Sequence, residues 1–312
     1  MSIAQDFLDS FSTALGRRPG ENVPLAAYSS FRIGGPADYV FDALTCDALA
    51  TAAALARRFG IPCFVVGGGF NLLFDDAGYR GLIIRNRAEG TEFGDGRVTA
   101  LSGTLLAQLL QDCMARGLAG LEFLAGIPGT VGGALFGNAG AFGRSIGDLV
   151  IRTSAVSTGG ACGTLSKQEL NFEYRRSALR DSRAVVLSAE FAVSPGDRKA
   201  SAAEVGDYLE RRRSKHPPWG TACAGSYFKN PCSGGGPKIA AGMLLEQAGA
   251  KGMAVGGAAV YEGHCNFIVN TGNATARDVL ALAAALKERV YEKFDVRLEE
   301  EVIYLPAASS RP

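Results

Sequence analysis

The sequence predicts an α+β protein with more than one domain, and three observations support that fold class. An apolar run at residues 61–66 follows a helical pattern and enters a glycine loop, as in an α/β unit. Short strand patterns then recur between residues 81 and 193. A long amphipathic helical pattern lies near the C-terminus. Because strands and helices occupy separate stretches after residue 81, we expect α+β packing.

Local signals place the N-terminal elements. Residues 38–41 are extended, and Thr45 can cap a helix that stops at Gly60. The apolar positions of this helix are Leu49, Ala53 and Leu55. Residues 61–66 form a buried strand. We therefore expect a strand, a helix and a second strand in this order.

The later elements have weaker periodicity but clear ends. The middle of the chain shows short strand patterns and one helical pattern, at 82–84, 97–101, 184–191 and, for the helix, 104–116. A charged helix over 201–214 ends before the rigid His216-Pro217-Pro218 sequence.

The C-terminal elements begin with a clear capping signal. Thr275 and Asp278 have capping-box spacing at the start of a long helix. Its predicted buried positions are Val279, Leu282, Leu286 and Val290. Residues 296–304 then look like a strand.

Composition narrows the possible partners. The chain has 312 residues and a net charge of +1, so nothing in its overall charge favours nucleic acid. The basic run of Arg211, Arg212, Arg213 and Lys215 is typical of a solvated helix end. The N-terminus lacks signal-peptide features, and no apolar stretch reaches the about 20 residues of a membrane span. We expect a cytoplasmic protein without membrane insertion.

Cysteine and histidine usage indicates reduced thiols and no metal. Seven scattered cysteines contain no C-x-x-C pair. The only histidines, His216 and His264, are far apart in sequence and supply few ligands for zinc.

Two glycine-rich segments are candidates for binding phosphate. Gly67, Gly68 and Gly69 directly follow the strand at 61–66, where bare backbone N–H groups can surround a diphosphate or simply make a tight turn. Residues 126–141 form a second run of small residues. This run either contacts a phosphate or a cofactor ring or makes turns around a buried helix start.

Three polar segments could carry chemistry. The arginines of Tyr174-Arg175-Arg176 offer planar donors that suit a carboxylate, although surface ion pairs would also explain them. Ser226, in the loop 225–231, has no nearby histidine base and suits proton transfer better than nucleophilic attack.

The third polar segment is acidic and lies in the predicted strand 296–304. A strand would put Glu299 and Glu301 on one face and Glu300 on the other. A buried carboxylate on one of these faces would be a functional candidate.

In this order, these segments resemble the UDP-N-acetylenolpyruvoylglucosamine reductase (MurB) family over nearly the whole chain. Residues 28–37, with the sequence YSSFRIGGPA, look like the family's N-terminal flavin segment. Residues 264–274, HCNFIVNTGNA, are similar to its substrate-domain strand and turn. The short passage from Ser226 to Glu301 looks like the type II form, which lacks an extra lid subdomain.

The resemblance implies a two-domain FAD-binding module of the vanillyl-alcohol-oxidase/PCMH-like type and a C-terminal α+β substrate-binding domain. We expect FAD-binding subdomains at 1–85 and 86–200 and a substrate-binding domain at 201–297. The C-terminal segment 298–312 is expected to return to the first subdomain.

The resemblance also implies an activity. NADPH would reduce FAD, and FAD would then reduce the enolpyruvyl ether of a UDP-sugar to UDP-N-acetylmuramate, a peptidoglycan precursor. The enzyme would act as a monomer on this small-molecule substrate.

Carried over residue by residue, the resemblance assigns Ser226 as proton donor, Arg175 to the substrate carboxylate and Glu301 to the enol-like intermediate. The substrate-binding candidates are Tyr174, Lys229 and Asn230. The cofactor-binding candidates are Arg32, Gly67, Gly68, Gly69, Asn71, Leu72, Gly126, Pro128, Gly129, Thr130, Gly133, Asn138 and Gly140.

Two departures from the family pattern leave alternatives open. Phe70 stands where the glycine loop usually carries a serine, and Tyr261 replaces a small polar residue. A flavin-binding or nucleotide-binding paralogue with a diverged substrate or no turnover is one alternative, and an FAD oxidase acting on another alcohol or amine is a second. The roles of Lys215, Gln247 and His264, in ligand binding or in structure, also stay open.

Overall fold

A computed structural model describes residues 3–232 and 238–307. The chain forms two compact units, each assembled from separated stretches. The first unit comprises Met1–Glu21, Tyr39–Gly68 and Gly81–Arg212, and the second comprises Asn22–Asp38, Gly69–Arg80 and Arg213–Pro312. Residues 308–312 of the predicted C-terminal segment lie outside the described residues. The predicted domain division at residues 85, 200 and 297 stays a prediction.

Helices occur in both units, and several begin at a polar cap. Thr45, Thr130, Ser166 and Thr275 each accept a backbone N–H from the first turn of the helix that follows. In chain order the helices of the described residues are α1 Ile3–Leu15, α2 Cys46–Arg58, α3 Leu106–Ala115, α4 Val131–Gly137, α5 Lys167–Leu170, α6 Leu179–Ser182, α7 Arg198–Arg213, α8 Ala241–Gln247 and α9 Ala276–Phe294.

The strands are mostly short. In chain order they are β1 Gly20–Pro24, β2 Pro36–Ala43, β3 Cys63–Val66, β4 Leu72–Phe74, β5 Tyr79–Asn86, β6 Thr91–Gly94, β7 Arg97–Leu101, β8 Leu118–Ala119, β9 Gly140–Ala141, β10 Arg144–Ser145, β11 Val150–Val156, β12 Cys162–Ser166, β13 Val185–Ala192, β14 Ser194–Pro195, β15 Ala254–Val255, β16 Ala258–Val260, β17 Ile268–Asn270 and β18 Ile303–Leu305. The larger sheets have the orders β1-β2-β5-β3 and β12-β11-β13-β7-β6. This mixture of helices and mainly antiparallel strands is the predicted α+β class.

The predicted order of strand, helix and strand at the N-terminus is confirmed, but the second strand is shorter than predicted and only its Val66 is buried. Strand β2 contains residues 38–41, and α2 begins after Thr45, whose hydroxyl accepts the Ala48 N–H at 3.1 Å. The predicted apolar positions Leu49, Ala53 and Leu55 are buried. The chain leaves the helix at Gly60, which has a φ of +65°. Strand β3 then pairs in parallel with β5.

The first unit contains two hydrophobic clusters. One joins α1 and α2 to the sheet, with Phe7 and Phe11 of α1 fully buried. The other lies between the five-stranded sheet and helices α3 and α4, and includes Phe191 of β13. This second cluster fixes the start of α4, which carries part of the glycine-rich run.

In the second unit, α9 packs on the sheet β15-β16-β17. The predicted capping box is confirmed, because Thr275 accepts the Asp278 N–H at 3.1 Å and Asp278 accepts the Thr275 N–H at 3.0 Å. Asp76, in the loop after β4, also accepts the N–H groups of Ala276 and Arg277 at 2.7 and 3.1 Å. The free N–H groups and the positive dipole end at the start of α9 are therefore stabilised by two carboxylates, those of Asp278 and Asp76.

The predicted strand at 296–304 is wrong. Only Ile303–Leu305 forms a strand, which pairs in parallel with β4. Leu298 and Val302 are buried, which explains the apolar pattern. The preceding backbone pairs with a loop: Lys229 N–H donates to Glu299 O and Glu301 N–H to Tyr227 O, at 2.9 and 2.8 Å.

The charged helix begins earlier than predicted, at Arg198, because Asp197 accepts the N–H groups of Lys199 and Ala200 at 2.8 Å. Each of the seven cysteines is a free thiol. Within residues 3–232 and 238–307, no helix is long and apolar enough to cross a membrane. The same residues contain no group of three acidic, histidine or cysteine side chains arranged to hold a metal ion.

Candidate functional site

The glycine loop after β3 lies against the start of α4 in the first unit. A Cβ atom at Gly67 would be 2.2 Å from the hydroxyl of Thr130, so a side chain would not fit there. Thr130 in turn caps α4 through the Gly133 N–H at 3.4 Å. The structure therefore brings Gly67, Thr130 and Gly133 together, and the two glycines have no side chain to cover the backbone. Bare N–H groups in such a loop fit a diphosphate.

The rest of the predicted glycine-rich run has mixed roles. Gly129 has a φ of +125°, and a Cβ there would meet nothing within 4 Å, so this position faces open space. Pro128 beside it is exposed. At Gly140 a Cβ would lie 2.2 Å from Arg144 O, which makes this glycine necessary for the β9–β10 hairpin. Gly129 is thus the more accessible of these glycines for a ligand.

Asn138 supports the arginine turn. Its side chain accepts the Gly147 N–H at 3.1 Å and donates to Glu173 O at 2.7 Å. Glu173 and Arg176 exchange backbone hydrogen bonds across the turn that Tyr174 and Arg175 form. The carboxamide of Asn138 is therefore used inside the protein, and it positions the turn next to the glycine-rich run.

Arg175 is held in place by its own backbone and by a carbonyl group. Its φ is +56°, a rare value for a side-chain-bearing residue. Its guanidinium donates to Gly140 O at 2.9 Å and lies 5.4 Å from the Tyr174 ring centroid. Arg176 instead pairs with Asp181 at 2.8 Å on the surface. The ion-pair interpretation thus holds for Arg176, whereas Arg175 sits at a strained, defined position.

Arg212 lies near Arg175, and the sequence interpretation of it as a solvated residue is wrong. Burial, and then the charge of Arg175, hold the pKa of Arg212 below its ordinary value. Its guanidinium lies 5.5 Å from the Phe142 ring centroid, and its Nε is buried with no hydrogen-bond partner among the described residues. A Cβ at Gly126 would be 2.7 Å from Arg212 Cδ. Two neighbouring cations of this kind suit an anionic ligand.

No local pattern distinguishes Arg212 from the exposed Arg211 and Arg213. Arg212 differs from these neighbours because it packs against Gly126, which has a φ of +71° and no side chain to displace the arginine. This residue pair is far apart in sequence, so only the folded structure connects it.

In the second unit, the segment 28–32 holds the loop that follows the glycine triplet. Ser30 N–H donates to Gly69 O at 3.0 Å, and the Ser29 hydroxyl donates to Leu72 O at 2.8 Å. Gly69 has a φ of +68°, and a Cβ there would be 2.0 Å from Tyr28 O. The side chain of Arg32 donates to Gly220 O at 3.0 Å. These contacts give the predicted cofactor residues Arg32, Gly69 and Leu72 a structural role.

The Ser226 loop is anchored by Asn266, which the sequence interpretation left without a role. The Asn266 carboxamide donates to Phe228 O and accepts Phe228 N–H, both at 2.9 Å. Its backbone carbonyl accepts the Tyr227 N–H at 2.8 Å. Asn266 and Phe228 are buried, and Ser226 is half-buried at the edge of this network. The serine is therefore held on a rigid support.

Glu301 lies next to the same loop. Its N–H donates to Tyr227 O at 2.8 Å, and its carbonyl accepts the Asn71 side chain at 3.1 Å. Glu301 is half-buried, whereas Glu299 is exposed. The structure thus places the Glu301 backbone between Asn71 and Tyr227, the residue that follows Ser226 in the chain.

The predicted substrate residues Lys229 and Asn230 have protein partners. Lys229 forms an ion pair with Glu299 at 3.1 Å, and the Glu299 side chain is 75% exposed. Asn230 Oδ1 accepts the Ala241 N–H at 3.0 Å, at the first residue of α8. The Lys229 side chain is only 23% exposed, so the pair is open to solvent on the Glu299 side alone. Asn230 fixes α8.

Two of the three residues whose roles stayed open, His264 and Gln247, have contacts within the protein. His264 Nδ1 accepts the Asn266 N–H at 3.2 Å, and its ring packs against Phe267. Burial, despite opposing hydrogen bonding by its backbone, lowers the pKa of His264. The Gln247 carbonyl accepts Lys293 Nζ at 2.6 Å. Tyr261 lies over Gly263, where a Cβ would be 2.6 Å from its ring.

Comparison with known proteins first defines the class. A family model described as "FAD binding domain" matches residues 37–166. The solved structure of Phl p 4.0202, a glucose dehydrogenase, aligns with 62% of this chain and 44% of its own chain, with a TM-score of 0.50. At 17% sequence identity this match shows only that the folds are similar. The bare backbone at Gly67 and Gly129 fits this match. The chain is a flavoprotein of the predicted α+β architecture.

The remaining comparisons define the family. The model described as "UDP-N-acetylenolpyruvoylglucosamine reductase, C-terminal domain" matches residues 217–305. The reductase of Syntrophus aciditrophicus is 42% identical over 89% of this chain and 89% of its own length. The reductase of Solibacter usitatus is 40% identical over 91% of this chain and 96% of its own length. The Thermus caldophilus enzyme, whose crystal structure is known, is 32% identical in sequence. Its structure aligns with 91% of this chain and 98% of its own chain, with a TM-score of 0.77. The chain belongs to the UDP-N-acetylenolpyruvoylglucosamine reductase (MurB) family, as the sequence predicted.

Proposed function

We propose that this protein reduces the enolpyruvyl ether of UDP-N-acetylglucosamine to UDP-N-acetylmuramate in peptidoglycan precursor synthesis, with FAD as cofactor and NADPH as hydride donor. The main support is that relatives named as this reductase match about nine tenths of the chain; the Syntrophus aciditrophicus reductase, for example, matches 89% of it. Ser226 and Glu301, two of its predicted catalytic residues, also adjoin the same Tyr227 backbone. The glycine loop at residues 67–69 would hold FAD, whose chemistry would be hydride transfer from NADPH to the vinyl carbon of the substrate.

Ser226 is the proposed proton donor. Hydride addition at the terminal vinyl carbon leaves negative charge on the carbon that bears the carboxylate, and a proton from Ser226 Oγ completes the reduction there. An alcohol is a weak acid, so this transfer depends on proximity to a strongly basic intermediate. The Asn266 network, which fixes Tyr227 and Phe228, supplies that positioning.

Arg175 is the proposed partner of the substrate carboxylate. Its guanidinium is oriented by Gly140 O, and Arg212 adds positive charge nearby. Both cations stabilise the negative charge that develops beside the carboxylate. Tyr174 borders the same turn and is a further proposed contact. Glu301 assists the enol-like intermediate, and Asn71 holds its backbone in place.

The proposed cofactor and substrate contacts differ in how directly they act. Gly67, Gly68 and Gly129 are proposed to present backbone to the FAD diphosphate, and Thr130 and Gly133 to form the helix start beside it. The remaining cofactor candidates are proposed to shape the surrounding loops, namely Arg32, Gly69, Asn71, Leu72, Gly126, Pro128, Asn138 and Gly140. Lys229 is proposed to exchange Glu299 for a substrate phosphate or carboxylate, and Asn230 to position it.

The test separates the two half-reactions of the Ser226→Ala variant under anaerobic conditions. We expect near-normal reduction of bound FAD by NADPH and a large loss in reoxidation by the enolpyruvyl substrate, about 10²–10⁴-fold for a lost proton donor. Ser226→Cys keeps a donor and should retain part of the second half-reaction. Ser157→Ala, at an exposed serine, is the matched control.

Equal loss in both half-reactions would overturn the role of Ser226. A wild-type protein that binds FAD but is not reoxidised by the substrate would instead be the non-catalytic paralogue. Rapid oxygen consumption with an alcohol or amine would identify an oxidase. We also propose a cytoplasmic monomer, in keeping with the seven free thiols; sedimentation at micromolar concentration tests the monomer.

A further inference from the structure

An exposed aromatic pair lies beside the glycine loop in the second unit. Trp219, the only tryptophan of the chain, is 82% exposed. The Phe70 ring centroid is 6.4 Å from that of Trp219, and the ring planes are tilted by 36°. This distance lies in the range of attractive ring contacts, about 4.5–7 Å. Phe70 and Trp219 are called the aromatic pair below.

The backbone on both sides of the aromatic pair is fixed to one short segment. The Ser30 hydroxyl donates to Cys223 O at 2.6 Å, while its N–H donates to Gly69 O at 3.0 Å. Arg32 donates to Gly220 O at 3.0 Å. The segment 30–32 therefore holds the residue before Phe70 and the residue after Trp219, so both rings are carried by anchored loops.

The turn that carries Trp219 is closed by its own hydrogen bonds. Thr221 N–H and the Thr221 hydroxyl both donate to Pro218 O, at 3.1 and 2.7 Å. Proline at 217 and 218 restricts the preceding backbone. A rigid aromatic side chain on an anchored turn loses little entropy when it binds a planar ligand.

Position 70 directly follows Gly69, at the end of the loop assigned to the FAD diphosphate. A phenylalanine offers no hydrogen bond to a phosphate, and its ring faces another ring that is open to solvent. The isoalloxazine of FAD must stay open for hydride exchange with NADPH and substrate. The adenosine diphosphate part of FAD has no such requirement, and its adenine stacks readily on aromatic rings.

We propose that the aromatic pair packs against the adenosine diphosphate part of FAD and replaces, by ring contact, a hydroxyl–phosphate hydrogen bond at position 70. This inference rests on the FAD-binding part of the proposed function and does not depend on the sugar-nucleotide substrate. Phe70 positions Trp219, and Trp219 makes the larger contact.

Equilibrium titration of the flavin-free protein tests the inference without any activity measurement. Trp219 emission is the readout, because the chain has a single tryptophan. ADP and FAD are both expected to change this emission, whereas FMN is expected to leave its wavelength maximum unchanged. ADP does not absorb at tryptophan emission wavelengths, so its effect reports contact and not energy transfer.

Variants give the strength of the contact, with FAD affinity measured by flavin fluorescence. Trp219→Ala is expected to bind FAD about tenfold more weakly, the scale of one base–aromatic stack. Phe70→Ser restores a hydroxyl and removes the ring contact, so Trp219→Ala should cost about threefold or less in that background. Tyr291→Ala, at an α9 aromatic that instead contacts Arg297, is the matched control and should bind like wild type.

The outcomes separate this inference from the proposed function. If the wild-type protein binds FAD with unchanged affinity after Trp219→Ala, or if ADP leaves Trp219 emission unchanged, the inference is overturned while the reductase assignment stands. A wild-type protein that cannot bind FAD at all overturns both. Thermal melts of each flavin-free variant confirm that affinity is compared between folded proteins.

Discussion

The substitution Asn266→Ala tests how the Ser226 loop is held. It removes a carboxamide that pairs with both backbone groups of Phe228 at 2.9 Å, where Asn266 is 3% and Phe228 1% exposed. Each buried group left without a partner costs about 1–3 kcal/mol. Some relaxation is expected, so we predict a loss of about 2–4 kcal/mol in unfolding free energy and roughly 3–6 °C in melting temperature.

The assay combines thermal unfolding of the flavin-free protein with anaerobic stopped-flow below the variant's melting point. Reoxidation by substrate should slow more than reduction by NADPH, because Tyr227 and Phe228 directly follow Ser226 in the chain. Asn266→Asp keeps the acceptor but loses the donor and should fall between wild type and Asn266→Ala.

Asn273→Ala, at an exposed position of the same unit, is the matched control. It should change stability by less than about 0.5 kcal/mol. If Asn266→Ala melts together with this control, the loop is supported by other contacts and the reasoning fails. Equal slowing of both half-reactions would likewise contradict a specific effect on Ser226.

Two further predictions concern the glycine loop and α9. Gly67→Ala places a Cβ 2.2 Å from the Thr130 hydroxyl and should weaken FAD binding about tenfold, or ~1.4 kcal/mol, in a titration. Measured against Thr130→Ala alone, the same substitution should cost less, and an equal cost in both backgrounds would contradict the clash. Hydrogen bonds from Thr275 and then Gly257 hold the pKa of Asp278 below its ordinary value of 3.8. Its stabilisation is present above that pH and is lost as the pH falls through the lowered pKa. Wild type should therefore melt above Asp278→Asn at neutral pH, and the difference should shrink as the pH falls below 3.8 and vanish below the lowered pKa, whereas a constant difference would refute the linkage.

Sequence reasoning succeeded where the cause was local. The helix starts at Thr45 and Thr275 could be predicted because a cap and the N–H that it accepts are three residues apart. The family resemblance succeeded for a different reason, since it uses the order of many short motifs along the whole chain.

The failures share a tertiary cause. Apolar side chains at 298 and 302 mimic the alternation of a strand, but their backbone pairs with the 227–229 loop through single hydrogen bonds. Arg212 differs from its basic neighbours only because it packs against Gly126, 86 positions away in the sequence. The contact between Phe70 and Trp219 likewise has no local signature. Long-range packing overrode the local pattern in each case.

The pairing of β18 with β4 has a consequence for how the protein is made. Ile303 lies opposite Leu72, and Asp76 contacts the start of α9 at residue 276. The segment around β4 leaves the ribosome long before these partners are synthesised. The backbone groups of β4 that pair with β18 therefore stay unpaired during translation. Contacts of such large sequence separation form slowly. A ribosome that stalls before residue 303 would therefore release a chain with an open strand edge, a target for chaperones or for aggregation.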